Sequence, residues 1–381
     1  MTALDPIPIA KPSVGEQEWE ALKEPIFKGW LTQGPQVEAF EKAFAKRHKA
    51  RYALAVSNCT TALHLILSAL GIGPGDEVIV PAFTWVATAN AAVYCGATPV
   101  LADVDETTYN LDAEQVARKV TSKTKAVIAV HLFGLCADMD AIKDAAPGVP
   151  IIEDAACAAG AAYKGDPAGS LGVAAAFSFH PRKIITTGEG GMVTTNDRTL
   201  ASKMEKLRNH GASISEEQRH IGPKPYHLPE FDLLGYNYRM SDLQGAVGLV
   251  QLGKLDGFIG ERKRLASFYN QELKKIKWLT TPLVPEYAEH SYQSYVCIVN
   301  DSCAPMPRDQ IMACLQMKGI STRPGTHAVH TLAYYRKQFA YQPDNYPVSW
   351  HLDRSSIAIP LHNRLREIDL KRIVNALHEL K

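Results

Sequence analysis

The chain has 381 residues, of which 41 are basic and 40 are acidic, so its net charge is +1. Hydrophobic residues make up 46% of the sequence, which indicates a globular chain long enough for two domains with buried cores. The balanced charge and the lack of a basic run exclude nucleic acid and membrane surfaces as predicted partners.

The cysteines and the N terminus bear on localisation. The seven cysteines are scattered, and because none forms a Cys-x-x-Cys pair they predict reduced thiols, neither a disulfide framework nor a zinc site. The N terminus has no basic segment followed by an apolar core, and no apolar run is long enough to span a bilayer. These patterns predict a cytoplasmic protein with no membrane segment and no bound metal.

The N-terminal half alternates between helical and strand patterns. Helical spacing covers residues 14–28, a loop follows at 29–35, and residues 83–88 are predicted to open a later helix. The glycines at 71–75 follow a helix and precede a strand, so they do not form a dinucleotide-binding motif. Because strands that alternate with helices pair in parallel, this half predicts an α/β domain with a mainly parallel sheet. The predicted strands are 52–56, 77–80, 98–103, 126–131 and 149–154.

A phosphate site is predicted where residues 57–61 begin an apolar run of helical length. Hydroxyl and amide side chains stand at this start, among them Thr60 and Thr61. Free N–H groups and the helix dipole attract phosphate at such a position. Ordinary capping of the helix is the alternative interpretation of the same side chains.

Two further residues, Asp154 and Lys183, are candidates for the same site as the predicted phosphate-binding residues. The strand at 149–154 ends in Asp154, which either faces the ligand crevice of an open α/β sheet or caps a helix. Lys183 lies on a loop between predicted strands at 173–179 and 192–195, where it is either a nucleophilic amine or a solvated surface lysine. One lysine, one strand-end aspartate and one phosphate site are what pyridoxal phosphate (PLP) requires.

Three motifs carry a resemblance to a known family. Residues 152–156, 177–191 and 236–244 resemble, in the same order, the DegT/DnrJ/EryC1/StrS family of PLP-dependent aminotransferases, which act on nucleotide-linked keto sugars. The resemblance extends from about Gly29 to the C terminus. It implies an aspartate-aminotransferase-like large domain (PLP fold type I) with a mainly parallel sheet, followed by a small C-terminal α+β domain.

The resemblance also implies roles around the cofactor. Lys183 would form the Schiff base with PLP, and Asp154 would pair with the pyridinium nitrogen. Trp85 would stack on the pyridine ring, and the alternative for this residue is a core tryptophan. The phosphate would be held by three hydroxyl side chains and, across the interface of a homodimer with shared active sites, by one amide: Thr60, Thr61, Ser178 and Asn237.

Candidate substrate contacts come from loops and from one strand end. The loops at 29–35 and 320–330 lie where the family places residues that border the active site. The predicted contacts are Thr32, His131, Glu189, Arg323, His327 and His330. The irregular segment 212–234 adds basic and aromatic candidates, which are Arg219, His220, Lys224, Tyr226 and His227. A structural role is the alternative for the histidine at 131, and a plain surface loop is the alternative for 212–234.

The C-terminal part predicts the small domain. A long helix starts near Ser241, and it is followed by a strand at 295–299, a helix at 308–318, a return strand and a final helix at 364–380. The predicted division is residues 1–250 for the large PLP-binding domain and 251–381 for the small domain.

Two positions depart from the common family pattern. Cys157 stands where the family often has Gln, His or Glu, and Gln293 stands where it often has His. Both leave the core chemistry intact, but they argue against transferring one particular member's substrate. Lys183 is present, which disfavours the family's sugar dehydratase branch, where histidine replaces this lysine.

The predicted reaction is transamination of a nucleotide-linked keto sugar with glutamate as the amino donor. The favoured substrate is a 4-keto-6-deoxy hexose, as in perosamine-type synthesis for polysaccharides such as the lipopolysaccharide O-antigen. Three alternatives stay open: a PLP-dependent nucleotide-sugar dehydratase or lyase, a cyclitol ketone aminotransferase, and a non-enzymatic cofactor-binding protein. The nucleotide, the sugar and the choice between C3 and C4 also stay open.

Overall fold

The computed structural model describes residues 5–214, 226 and 228–380. Its strands are β1 (Tyr52–Val56), β2 (Glu77–Pro81), β3 (Phe83–Thr84), β4 (Thr98–Ala102), β5 (Thr124–Val130), β6 (Ile151–Asp154), β7 (Ala162–Tyr163), β8 (Asp166–Pro167), β9 (Ala174–Ser178), β10 (Gly191–Thr195), β11 (Leu279–Thr280), β12 (Ala288–Glu289), β13 (Tyr295–Val299), β14 (Arg323–Pro324), β15 (His327–Ala328) and β16 (Ser356–Ile359). Its α-helices are α1 (Glu16–Lys28), α2 (Pro35–Arg47), α3 (Cys59–Ala69), α4 (Ala87–Tyr94), α5 (Ala113–Lys119), α6 (Met139–Ala145), α7 (Arg198–Arg208), α8 (Asp242–Leu273), α9 (Arg308–Met317), α10 (Ala333–Phe339), α11 (Pro347–Ser355) and α12 (Glu367–His378).

The large domain is built on a seven-stranded sheet with the order β1-β10-β9-β6-β5-β2-β4. Strands β4, β2, β5, β6 and β9 pair in parallel, whereas β10 is antiparallel to both β9 and β1. The loop that carries Lys183 therefore joins the two strands of an antiparallel pair. The predicted α/β domain with a mainly parallel sheet is confirmed.

The large sheet is buried on both faces because its strands are apolar without interruption. In β5, Val127 and Ala129 pack into one core, while Ala126 and Ile128 pack into the other. Helices α2, α6 and the first part of α8 cover one face, and α3, α4 and α7 cover the other. Since side chains alternate along a strand, one apolar run supports two helical layers.

A second sheet, with the order β11-β13-β16-β14, forms the small C-terminal domain. All of its pairings are antiparallel. Its core joins Tyr295 and Ile357 of the strands to Ile311 of α9 and Leu370 of α12. The predicted small α+β domain is confirmed.

Helix α8 connects the two domains without a break. Ser241 and Gln244 form a capping box at its start, and the helix then continues for 32 residues. Leu255 packs into the large-domain core, whereas Leu265 packs into the small-domain core. The predicted division at 250/251 therefore falls inside one continuous helix.

The glycines of α8 fall into two groups. A Cβ atom added at Gly248 would lie 2.5 Å from the ring of Phe40, so this glycine allows α2 and α8 to approach closely. A Cβ atom added at Gly253, Gly257 or Gly260 would meet nothing within 4 Å. Close packing thus explains Gly248 but not the other three glycines.

Two segments cross between the domains. Strand β15 pairs with β3, and Val329 and Tyr346 pack into the large-domain core although their positions are predicted in the small domain. Conversely, Ile7 pairs with Ile320 and packs into the small-domain core. Pairing between segments so far apart in sequence is not encoded by local patterns, so the predicted bounds miss both crossings.

Two local differences concern the helices. Residues Phe83–Thr84 form a strand, and α4 begins only at Ala87, because the backbone at 83–84 pairs with β15. Pro25 lies inside α1 and does not end it early. Among the helices of the described residues, none combines the length and the apolar character needed to cross a membrane.

Candidate active site

Asp154 ends strand β6 at the carboxyl edge of the parallel strands, where open α/β sheets bind ligands. Thr88 Oγ1 donates a hydrogen bond to Asp154 Oδ2 at 2.8 Å, and the backbone N–H of Ala156 donates to Oδ1 at 3.2 Å. Burial raises the pKa of Asp154, and these donors together with Lys183 offset that effect only in part. The carboxylate is therefore short of donors and suits a cationic partner.

Lys183 lies on the loop that follows β9. Its backbone N–H donates to His180 O at 2.8 Å, which fixes the turn. Its side-chain Nζ donates to Cys157 Sγ at 3.1 Å. Burial alone would lower the pKa of Lys183, but Cys157, Cys59 and Asp154 together raise it. The structure thus brings the predicted lysine and the predicted aspartate into one electrostatic cluster.

The start of helix α3 supplies the predicted phosphate site. Asn58 caps the helix by accepting from the N–H of Thr61 at 2.9 Å, and Thr61 Oγ1 donates to Asn58 O at 2.8 Å. The capping alternative thus holds for Asn58 and Thr61. Within the described part of the chain, the hydroxyl of Thr60 has no hydrogen-bond partner, so it remains available to a ligand.

Strand β10 approaches this helix start closely. A Cβ atom added at Gly191 would lie 2.5 Å from Asn58 C and 2.8 Å from Cys59 N. Gly191 pairs with Ser178 across the β9–β10 ladder, so the hydroxyl of Ser178 belongs to the same region. Only glycine fits at position 191, and its contact places the helix start beside the strand that follows the Lys183 loop.

These groups fit the functional parts of PLP. The helix start with Thr60 and Ser178 suits its phosphate, because free N–H and hydroxyl donors converge there. The electron-rich carboxylate of Asp154 suits a protonated ring nitrogen, and the amine of Lys183 suits its aldehyde. The donor set of this site therefore matches the cofactor that the sequence predicts.

A cleft of about 260 Å³ opens next to this cluster. Arg182, which precedes Lys183, lies on its wall. Trp85 is 60% exposed, so it is not a core tryptophan, and its ring centroid lies 5.6 Å from that of His327. The predicted residues that line the cleft are Trp85, Arg323 and His327.

Two predicted histidines do not reach the cleft. His131 is fully buried, with Nε2 2.9 Å from Glu153 Oε2, and its Nδ1 accepts from the N–H of Ala137 at 3.1 Å. Since both ring nitrogens are engaged inside the protein, the structural alternative holds for this residue. His330 is also fully buried, and its Nε2 lies 3.1 Å from Pro343 O. Neither side chain is placed to contact a substrate.

Three other predicted residues lie at the surface around the start of α8. The backbone carbonyls of Thr32 and Glu189 accept hydrogen bonds from α8, from Asp242 N at 3.2 Å and from Gln244 Nε2 at 2.6 Å. Both side chains are exposed and line none of the cleft described above. Asn237 is exposed as well, whereas its neighbours in sequence are half-buried tyrosines that stack on each other.

Several residues of the site escaped sequence analysis. Thr88 binds Asp154, and nothing in its local sequence indicates that contact. Arg182 and Gln293 line the cleft, and Gln293 Nε2 donates to Arg182 O at 2.9 Å. The position of Arg182 beside Lys183 is a signal that could have identified it. The candidates Arg219, His220, Lys224 and His227 lie outside the described residues.

The comparisons with known proteins extend over both domains. A sequence profile of the DegT/DnrJ/EryC1/StrS aminotransferase family matches residues 12–378. The chain is 40% identical to GDP-perosamine synthase of Caulobacter vibrioides over 384 aligned positions, covering 100% of each protein. It is 38% identical to the spore coat polysaccharide biosynthesis protein SpsC of Bacillus subtilis over 377 positions, covering 98% of this chain and 97% of that one.

Solved structures share the fold as well as the sequence. The Streptococcus pneumoniae protein Spr1654 in its PLP form superposes with a TM-score of 0.89 at 28% identity. The superposition covers 98% of this chain and 97% of that one. At this coverage the shared fold extends over both domains.

Proposed function

This chain belongs to the DegT/DnrJ/EryC1/StrS aminotransferase family and is a PLP-dependent sugar aminotransferase, and from that premise we propose a specific reaction. The enzyme transfers an amino group from glutamate to C4 of a nucleotide-linked 4-keto-6-deoxy hexose. The end-to-end identity with GDP-perosamine synthase supports this substrate class. The single observation that carries the proposal is the cluster of Lys183 and Asp154 beside a cleft with two arginines.

The chemistry divides between the cofactor and the protein. When bound, PLP supplies the aldehyde that receives the amino group and a ring that withdraws electrons from the reacting carbon. Lys183 would hold the cofactor at rest and, when free of it, would move a proton at the reacting carbon as general acid and base. Asp154 would pair with the protonated ring nitrogen, and Thr88 orients that carboxylate through its hydrogen bond.

The cleft is suited to the parts of the nucleotide sugar that lie beyond the reacting carbon. Arg182 and Arg323 line it, and guanidinium groups bind diphosphate oxygens in pairs of hydrogen bonds. Trp85 and His327 provide flat surfaces on the same wall, against which a ring can stack. We assign the sugar to the end near Lys183 and the nucleotide to the outer part of the cleft.

The proposed active unit is a homodimer. Asn237 is exposed in one chain while the tyrosines on both sides are half-buried, which fits an amide that reaches a partner's phosphate site. Thr32 and Glu189, also exposed near the start of α8, are assigned to the same shared region.

A product assay tests the function. The purified protein is incubated with glutamate and with each of several nucleotide-linked 3-keto and 4-keto sugars, and products are identified by mass spectrometry and NMR. The expected result is an amino sugar aminated at C4 that forms only when glutamate is present. Conversion without an amino donor would instead indicate a dehydratase or lyase, and amination of a cyclitol ketone alone would overturn the nucleotide-sugar assignment.

A further inference from the structure

The turn after β6 places a thiol directly against the amine of Lys183. The distance from Lys183 Nζ to Cys157 Sγ is 3.1 Å. Cys157 is half-buried, so this residue is not sealed inside the core.

Both partners of this contact are anchored through their backbones. The carbonyl of Cys157 accepts a hydrogen bond from Ser291 Oγ at 3.4 Å, and the preceding N–H of Ala156 is bound by Asp154. The backbone N–H of Lys183 is held by His180 O. Since the two backbones are fixed, the four-carbon stem of the lysine is the flexible part that closes the remaining distance.

The other cysteines of the described residues lack such a neighbour. The sulfurs of Cys95, Cys303 and Cys314 lie 3.7–3.8 Å from a hydroxyl, a backbone carbonyl and a thioether. Cys59 is near the cluster, but burial raises its pKa well above the ordinary value, which disfavours the reactive thiolate. In the part of the chain that the structure describes, only Cys157 has its sulfur hydrogen-bonded to an amine.

We propose that Cys157 and Lys183 form an oxidisable pair, which hydrogen peroxide converts into a covalent sulfur–nitrogen cross-link. In the first step the thiolate of Cys157 attacks one peroxide oxygen. The S–O bond forms, the O–O bond breaks, and the other oxygen leaves as water after taking up a proton. The sulfur is oxidised to a sulfenic acid by two electrons, and the peroxide is reduced by the same two.

In the second step Lys183, which has given its ammonium proton to the hydroxide released in the first step, attacks that sulfur as the neutral amine. The S–N bond forms, the S–O bond breaks, and the hydroxyl leaves as water with a proton from the amine. The sum is one thiol, one amine and one peroxide giving one S–NH linkage and two waters. A thiol reductant reverses the linkage, as it does for other sulfenyl derivatives.

The cross-link and the cofactor compete for the same nitrogen. This consequence rests on the proposed role of Lys183 in holding PLP. A lysine tied to Cys157 cannot attach the cofactor, and a lysine attached to the cofactor cannot react with the sulfenic acid. The pair would therefore inactivate the enzyme reversibly when peroxide meets a protein whose lysine is free.

The test is peptide mapping by mass spectrometry after treatment with hydrogen peroxide. Three samples are compared: protein loaded with PLP, protein loaded with pyridoxamine phosphate, and protein stripped of cofactor. In the last two we expect a joined peptide containing Cys157 and Lys183, two hydrogens lighter than its components, which disappears after thiol reduction. Sulfenic or sulfinic acid at Cys157 without a joined peptide would overturn the inference, and so would a disulfide between Cys157 and Cys59.

Three variants and the PLP-loaded sample distinguish a failure of the Cys157–Lys183 pair from a failure of the proposed role of Lys183 in holding PLP. Cys157→Ser should abolish the cross-link, Cys59→Ser should leave it unchanged, and Lys183→Arg should leave a sulfenic acid that a sulfenic-acid-specific reagent traps. Loss of the cross-link in Cys59→Ser would show that a disulfide route is used and would contradict the pair. A cross-link that forms in the stripped sample and equally in the PLP-loaded sample would leave the pair intact but would refute the role of Lys183 in holding PLP.

Discussion

Strand β6 ends in two consecutive buried carboxylates, Glu153 and Asp154, whose side chains face opposite sides of the sheet. The pKa of Glu153 is lowered, whereas the pKa of Asp154 is raised. Glu153 accepts hydrogen bonds from the N–H groups of Gly169, Leu171 and Gly172 at 2.7–2.8 Å and lies 2.9 Å from His131 Nε2. Burial alone would raise the pKa of Glu153, but these donors outweigh it and hold the pKa below its ordinary value.

Asp154 has two such donors instead of four, and burial raises its pKa. The difference separates a carboxylate suited to a structural role from one suited to a ligand on the same strand. A buried carboxylate with a complete set of donors stabilises the fold, whereas one with an incomplete set is reserved for a ligand that brings the missing positive charge.

The largest expected effect is at Lys183, because this lysine shares an electrostatic cluster with Asp154 and is the proposed attachment point of PLP. Borohydride reduction of the yellow, PLP-loaded protein should fix the cofactor to the peptide that contains Lys183. Lys183→Ala should abolish this labelling and turnover, while Lys164→Ala, at an exposed lysine paired with Asp140, should leave both unchanged. Labelling of another lysine in the wild-type protein would break the assignment.

Asp154→Asn should separate catalysis from stability. The amide keeps the shape but loses the charge that retains the ring proton, so we expect turnover to fall about a thousandfold, or roughly 4 kcal/mol at about 1.4 kcal/mol per tenfold. Removing a buried charge should at the same time raise the unfolding free energy of the cofactor-free protein at pH 7. Spectra should show the cofactor still bound, and near-normal turnover would contradict the role.

Glu153→Gln should have the opposite effect on stability, because it should lower the unfolding free energy. Glutamine keeps one acceptor oxygen but places an NH2 group where the second oxygen accepted two hydrogen bonds. Two of the four donors then face a donor in the core, so urea unfolding at pH 7 should show a loss of roughly 3 kcal/mol. Because the folded-state pKa of Glu153 is lowered, its stabilisation is present above the ordinary value of 4.5 and is lost as the pH falls below it. Stability equal to the wild type, or the same acid dependence, would refute the structural role.

A complementation experiment tests whether a second copy of the chain contributes Asn237 to the active site that contains Asp154. Lys183→Ala and Asn237→Trp chains, each inactive alone, are mixed under conditions that exchange subunits. If Asn237 serves the partner's site, a hybrid dimer has one site with both defects and one with neither, so part of the activity should return. Hybrids that form without regaining activity would show that Asn237 serves its own chain.

The smallest effect is expected at Thr88, one of the two donors to Asp154. Thr88→Val removes the 2.8 Å hydrogen bond, which should raise the pKa of Asp154 further and cost roughly 1–2 kcal/mol of catalysis. The alkaline shift of the pH profile distinguishes this effect from a packing defect. Thr84→Val is the matched control, because Thr84 Oγ1 contacts Thr88 Oγ1 at 3.1 Å without touching Asp154. Equal profiles for both variants would count against the role of Thr88.

The large sheet and the two catalytic candidates could be predicted because their signals are local. Strands such as β5 are continuous apolar runs bounded by turns, and the end of β6 and the loop of Lys183 follow directly from such runs. The local pattern alone does not separate Asp154 from Glu153, since the difference depends on donors from residues 169–172 and from Thr88. The family resemblance is what selects Asp154.

The remaining misses share one physical cause. His131 and His330 stand in functional-looking sequence, but Glu153 and Pro343 engage them inside the core. The return of β15 to β3 depends on backbone pairing across more than half the chain. Local periodicity contains no information on such distant partners, so burial of single polar residues and the exact domain bounds escape it.

The three glycines of helix α8 at which an added Cβ atom would meet no neighbour have a consequence for protein engineering. Gly253, Gly257 and Gly260 are spaced so that they share one exposed face, and each lacks a neighbour within 4 Å of an added Cβ. Glycine in a helix interior is less favourable than alanine by about 0.5–1 kcal/mol per residue. We therefore expect three alanine substitutions to raise the thermal unfolding midpoint, in a segment that touches neither the carboxylates of β6 nor the cleft.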